Sequence, residues 1–324
     1  MQTPSQLLEK FENALKNVSY PNRPEGLYEP IEYVLSAGGK RLRPVLLLLA
    51  YNLYREDVEK AIPAALGLET YHNHTLLHDD LMDRADMRRG RPTVHKKWDD
   101  NTAVLSGDTM LIMAFQHMMK SDCPNLAELL KLFARSMQEI CEGQQYDVNF
   151  ESRNDVKEEE YIEMIRLKTS VLLACAIKSG ALLADAPASD ADALYAFGEK
   201  IGLAFQLQDD YLDVYGDPAV FGKKIGGDIL CGKKTYMLIN AYNRADVATR
   251  SRLFDLINDK EMVADEKIAA VTAIYNELHI AELCRDKINA CYDEARIWLD
   301  RLSVSDEKKQ VLWDFAASLL GRKS

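Results

Sequence analysis

A chain of 324 residues is long enough for one large domain or two ordinary ones, and its 51 acidic against 40 basic side chains leave a formal charge of −11. That sign argues against a general nucleic-acid binder, whose affinity comes from basic surface laid against phosphates. No apolar run approaches the about 18 residues that a bilayer span requires, so a soluble chain without an integral membrane segment is expected.

Ten prolines and sixteen glycines are few for this length. Leu, Ala, Glu and Lys are abundant and alternating Val/Ile/Thr runs are scarce, which points to an all-α protein. Polar interruptions near 20–26, 84–101, 150–160 and 214–235 read as interhelical loops. No Pro/Ser/Gly linker separates them, so residues 1–324 read as one continuous helical domain. The opening Met1-Gln2-Thr3-Pro4-Ser5 lacks the basic and apolar stretches of a signal peptide. Cys123, Cys141, Cys175, Cys231, Cys284 and Cys291 show no CxxC pairing, which favours thiols in a reducing cytoplasm.

Along the chain, basic and acidic segments alternate. Gly38-Gly39-Lys40-Arg41-Leu42-Arg43-Pro44 is expected to begin a helix, with Pro44 at its first position. An apolar segment containing His72, His74 and His78 leads into Asp79-Asp80-Leu81-Met82-Asp83, and Arg88-Arg89-Gly90-Arg91-Pro92 follows. Residues 101–119 form an apolar, Met-bearing helix suited equally to core or interface. Phe205-Gln206-Leu207-Gln208 then leads into Asp209-Asp210-Tyr211-Leu212-Asp213, with Lys223-Lys224 and Lys233-Lys234 beyond it.

The two aspartate runs carry the argument. Positions i and i+4 share a helix face, so Asp79 with Asp83 and Asp209 with Asp213 project carboxylates in pairs. A lone DDxxD is usually a solvated helix end, but two with one spacing, both in apolar surroundings, call for a compensating charge. Hard Mg2+ takes one or two carboxylates per ion and completes its octahedron with phosphate oxygens. The nearby basic segments would hold the anionic groups that carboxylates repel, so the expected ligand is a metal-bound diphosphate.

Other chemistries fit less of the chain. Gly227-Asp228-Ile229-Leu230-Cys231-Gly232-Lys233-Lys234 approaches a phosphate-binding P-loop, but Lys234 stands where that motif needs Ser or Thr. His72, His74, His78 and Asp79 suggest an HD-type metal phosphohydrolase, which would leave the second aspartate run unexplained. A terpene cyclase shares DDxxD but carries Asn/Ser/Glu chemistry in its second metal motif. A non-catalytic regulatory subunit would have lost motif aspartates or basic grips that this chain keeps.

From Gly38 to Thr235 these ordered motifs resemble the trans-isoprenyl diphosphate synthases, the polyprenyl synthetase family, and in particular its short-chain farnesyl and geranylgeranyl members. The resemblance implies a single large helical bundle around a deep central cavity, a homodimer, and a prenyltransferase joining isopentenyl diphosphate to an allylic diphosphate. It implies three Mg2+ ions, with Asp79, Asp83 and Asp209 as direct ligands and Asp80, Asp210 and Asp213 in supporting or water-mediated positions. Lys40, Arg43, His72 and Arg89 match the grip on isopentenyl diphosphate. Arg88, Lys168, Lys223 and Lys233 match the groups around the allylic diphosphate, with Asp147, Gln206 and Thr169 lining the same site. The Gly216 to Gly232 segment is expected to close as a lid over the carbocation.

Product length is expected to be set upstream of Asp79. His74 and Tyr71 lie one helical step apart, about 4.5 Å along the axis, and with Thr75 they form the floor of the product tunnel that the resemblance implies. Within the family that the chain resembles, an imidazole at 74 fits neither the bare Ala floor of long-chain members nor the paired aromatics of the shortest-chain ones, which implies a product of about three to four isoprene units, the longer slightly preferred.

Overall fold

Local sequence signals explain most of the helix boundaries. The computed structural model describes residues 1–21, 23–217 and 225–318. Helix α1 (Pro4–Lys16) opens with a reciprocal cap between Thr3 and Gln6 and with proline in its first turn, where a missing N–H costs nothing. It buries Leu7, Phe11 and Leu15, four residues apart on one face. Helix α2 (Glu25–Leu35) follows, and α3 (Leu42–Asn52) is buried on every side from Pro44 to Asn52. Pro44 is the third residue of α3, two positions later than the sequence suggested, because Arg41 takes the cap position in a left-handed conformation (φ 48°).

A short 3-10 turn (Val58–Ala61) feeds α4 (Ile62–Met82), whose last turn carries the first aspartate run. The stretch expected to be a plain loop after it contains a two-residue hairpin, Met87–Arg88 paired antiparallel with Arg91–Pro92. Arg89 and Gly90 both have positive φ (52° and 73°), the requirement for a tight primed turn. After α5 (Val94–Lys97) come α6 (Asp100–Met119), capped by Asp99, and α7 (Leu126–Glu151). Helix α8 (Glu158–Ile165) passes through a π turn (Arg166–Ser170) into α9 (Val171–Leu183). Helix α10 (Ala188–Tyr215) carries the second aspartate run, and the rest is helical in pieces: Gly227–Cys231, Tyr236–Arg244, Val247–Asn258, Ala264–Glu277, Ile280–Asp300 and Asp306–Ser318. No described helix is long and apolar enough to cross a membrane.

The chain divides into two compact units. One comprises Met1–Phe133, Cys175–Leu194 and Ser303–Lys308; the other comprises Ala134–Ala174, Tyr195–Leu302 and Lys309–Ser324. Neither is a single stretch of sequence, so no linker parts them.

In the first unit α4 lies directly against α6. A Cβ on Gly67 would sit 2.8 Å from the Ala114 carbonyl oxygen, so only glycine permits that spacing. The buried Asp190 carboxylate is satisfied by the Tyr54 hydroxyl (2.7 Å) and by the Ser303 N–H and hydroxyl (3.1 and 2.7 Å), which ties a late segment to this unit. The second unit's core gathers Tyr161, Met164 and Ile165 of α8, Leu207 and Leu212 of α10, and Ile274, Tyr275, Ile280 and Cys284 of the later helices.

Candidate active site

The first unit brings the Gly-Gly-Lys-Arg segment, the middle of α4 and the hairpin tip together. Arg41 there is structural. Its guanidinium is buried and donates to Glu12 and Glu69 (2.8 Å each) and to the Leu35 carbonyl (2.8 Å).

Arg43 is compensated very differently. One Nη donates to His72 Nε2 (3.1 Å), and its Nε is buried with no hydrogen-bond partner. Since a guanidinium can only donate, His72 must accept at Nε2 and is the neutral tautomer protonated at Nδ1. Burial, then Arg43, Arg89 and further arginines, push the His72 imidazole well below its usual range. Burial likewise pulls Arg43 down to about 10, against the partial support of Glu69 and reinforced by the Arg89 charge.

Arg89 closes the group from the hairpin tip. It donates to the Gly38 carbonyl (2.5 Å) and to Asn73 Oδ1 (3.2 Å), while burial again lowers it. Gly39 lies beneath it with φ 137°, a backbone conformation that strains any residue with a Cβ. Lys40 is exposed on the same loop. Arg43 and Arg89 are therefore two cations that lower each other across a neutral His72, an arrangement that an incoming polyanion would relieve.

The first aspartate run ends α4. Asp79 is half-buried, and Asp83 is the exposed C-cap residue whose N–H closes the last turn on the Asp79 carbonyl (2.8 Å). Asp80 points inward, 5% exposed, and both its oxygens accept from Arg88 Nε (2.8 and 2.7 Å). Burial raises the Asp80 carboxyl in spite of that pairing. Arg88 also lies 3.8 Å from Asp79, so in this state it braces the run from below. The neighbouring His95 is buried with neither ring nitrogen partnered.

Upstream on α4, Tyr71 is 2% exposed and packs edge-on against Phe133, ring centres 5.6 Å apart. His74 lies against Tyr71 and shares a hydrogen bond with the Gly107 carbonyl of α6 through Nδ1 (2.9 Å). A carbonyl only accepts, so the proton sits on Nδ1. Burial draws His74 down to about 4. Thr75 turns its hydroxyl back onto the His72 carbonyl (2.7 Å).

The second unit repeats the theme on α10. Asp209 is half-buried, whereas Asp210 is 4% exposed and has both oxygens filled, by the Tyr161 hydroxyl and by Gln206 Nε2 (3.2 Å). Burial, then the Asp228 charge, raises Asp210 to about 7. Asp213 accepts from the Asp228 N–H (3.0 Å) at the start of Gly227–Cys231. Lys168 and Thr169 sit in the π turn, a helical irregularity common at functional sites. Lys168 Nζ pairs with Asp147 (2.6 Å), and the Thr169 hydroxyl donates to Gln206 Oε1 (3.0 Å). Gly143 of α7 makes room for that turn, since a Cβ would come within 2.4 Å of the Lys168 nitrogen. Lys233 is exposed, and its charge acts on Asp210. Lys223 lies outside the described residues, as does part of the Gly216 to Gly232 segment.

Sequence reading had not singled out Tyr161, Asn73, Glu69 or Asp228. Tyr161 alone left a signal: it precedes Lys168 by seven residues, two helical turns on the same face.

The exposed and half-buried aspartates offer only oxygen donors. Among the described residues no three His, Cys, Asp or Glu side chains converge on one point, so much of an octahedral shell falls to water or phosphate oxygens. Such a donor set fits Mg2+ and disfavours softer metals.

Residues 24–278 match the polyprenyl synthetase family model. The chain belongs to that family. It is 39% identical over 292 residues to a geranylgeranyl diphosphate synthase of Methanosarcina mazei, covering 90% of this chain and 88% of the relative. It is 46% identical over 236 residues to a geranylgeranyl pyrophosphate synthase of Geoglobus acetivorans, 72% of each chain. A crystal structure of a geranylgeranyl pyrophosphate synthase superimposes with a TM-score of 0.95 at 43% identity, with all of both chains covered. The all-α architecture and the prenyltransferase class expected from the motifs both hold.

Proposed function

We propose that this polyprenyl synthetase acts as one catalytic domain that condenses isopentenyl diphosphate with an allylic diphosphate, releasing a short all-trans prenyl diphosphate. Geranylgeranyl diphosphate is the product favoured, with farnesyl diphosphate the shorter alternative. The observation that carries the reading is the cluster of Arg43, His72 and Arg89, in which the buried Arg43 Nε has no partner. A buried donor without an acceptor costs free energy unless an anion completes it, and a diphosphate has the oxygens to do so.

In this reading Lys40, Arg43, His72 and Arg89 hold the isopentenyl diphosphate without metal. Asp79, Asp83 and Asp209 are the direct Mg2+ ligands, with three ions bound alongside the allylic substrate. Asp213, whose carboxylate is partly engaged by the Asp228 N–H, and the buried Asp80 and Asp210 support them. Bound Mg2+ supplies Lewis-acid neutralisation of the charge that grows on the leaving diphosphate. Arg88, Lys168 and Lys233 add positive charge around that group. The Thr169 hydroxyl and Gln206 carbonyl present oxygen dipoles beside the developing allylic cation. The isopentenyl double bond then attacks the cation, and a proton passes to the departed diphosphate, so no nucleophilic side chain is needed.

A homodimer in the cytoplasm completes the proposal. The dimer is supported by Val104, Leu105, Ile112 and Met119, large apolar side chains left 42–59% exposed on α6. Incubating the purified chain with labelled isopentenyl diphosphate, Mg2+ and each allylic primer in turn tests the reading. Chromatography should show a linear product of twenty carbons as the main species; a cyclic hydrocarbon, or no elongation of any primer, would refute it.

A further inference from the structure

Four side chains of the second unit form a chain of hydrogen bonds joining α8, the π turn and α10. The Thr169 hydroxyl donates to Gln206 Oε1 (3.0 Å), the Gln206 amide donates to Asp210 Oδ1 (3.2 Å), and the Tyr161 hydroxyl donates to Asp210 Oδ2. Tyr161 is 2% exposed and Asp210 4%. Both Asp210 oxygens are engaged from inside the protein, whereas on the same helix Asp209 is half-buried and Asp213 has one oxygen held by the Asp228 N–H.

We infer that Tyr161 is a positioning residue for the second aspartate run: its hydroxyl anchors the Asp210 carboxylate inward and so fixes the turn of α10 from which Asp209 and Asp213 meet metal and diphosphate. Without that donor one Asp210 oxygen is stranded, and a buried carboxylate short of a partner reorients toward whatever cation or water it can reach. The inference rests on the assignment of the second run as a metal and diphosphate site.

Tyr161→Phe removes one oxygen atom and no carbon, so the core volume is conserved. The readout is Mn2+ retention in the presence of inorganic diphosphate, followed by electron paramagnetic resonance, in four chains: wild type, Tyr161→Phe, Asp210→Asn and the double variant. Tyr161→Phe should weaken Mn2+ retention about tenfold, the order expected for one charge-assisted hydrogen bond, and leave the KM for isopentenyl diphosphate unchanged. In the Asp210→Asn background the same change should cost less than about twofold, because the pair acts as a unit. An equal loss in both backgrounds, or no loss in either, overturns the inference. If Tyr161→Phe alone does not fold, the double variant, which strands no charge, is compared with Asp210→Asn and the same criterion applies. Failure of the underlying assignment has a separate signature, a wild-type chain that retains no Mn2+ with diphosphate.

Discussion

Arg41 and Arg43 stand two residues apart and show how burial separates a structural cation from a working one. Arg41 is matched by two carboxylates and a carbonyl; Arg43 has one imidazole and an orphaned Nε. Replacing Arg43 by Ala removes repulsion within the empty site and also removes a donor to bound diphosphate. The KM for isopentenyl diphosphate should rise between about tenfold and a hundredfold, the range for one charge-assisted contact. The KM for the allylic primer should change by less than about twofold, and the melting temperature of the unliganded chain should not fall. Equal effects on the two substrates in steady-state kinetics would remove Arg43 from the homoallylic grip. From sequence alone Arg41 and Arg43 were both part of one basic motif, and their difference depends on Glu12 and Glu69, which meet Arg41 only in the fold.

At the scale of elements, helix type and the placing of both aspartate runs were legible because the i, i+4 spacing and apolar flanks are local properties. The misplacement of Pro44 by two residues, the unforeseen hairpin and the π turn have a common origin. Each depends on contacts made elsewhere: the left-handed Arg41 held by Glu69, the Arg89-Gly90 turn docked on Gly38, and the room left by Gly143. Helix α4 carries a prediction of its own. His74 is neutral at any working pH and spans to α6 through the Gly107 carbonyl, with Tyr71 and then Phe133 behind it. His74→Ala should lengthen the product by about one isoprene unit, and His74→Ala with Tyr71→Ala by about one more, matching the 4.5 Å step between them. Chromatography showing an unchanged product from both active variants would place the floor elsewhere.

For the whole molecule, composition gave the all-α class and the ordered motifs gave the family, while the division into two discontinuous units was not legible. It arises from packing among segments as distant as Tyr54, Asp190 and Ser303. The two aspartate runs belong to different units, the first to Met1–Phe133 and the second to Tyr195–Leu302. In the function proposed above, both act in one ionisation step. The direct measurement is single-turnover prenyl transfer at saturating Mg2+ by Asp79→Ala and by Asp209→Ala, each checked for native helicity and melting temperature. Each change should slow the chemical step by about a hundredfold or more, as the loss of an electrostatic contact made to the departing charge requires. A near-normal rate in either folded variant would rule out a joint role for the two runs.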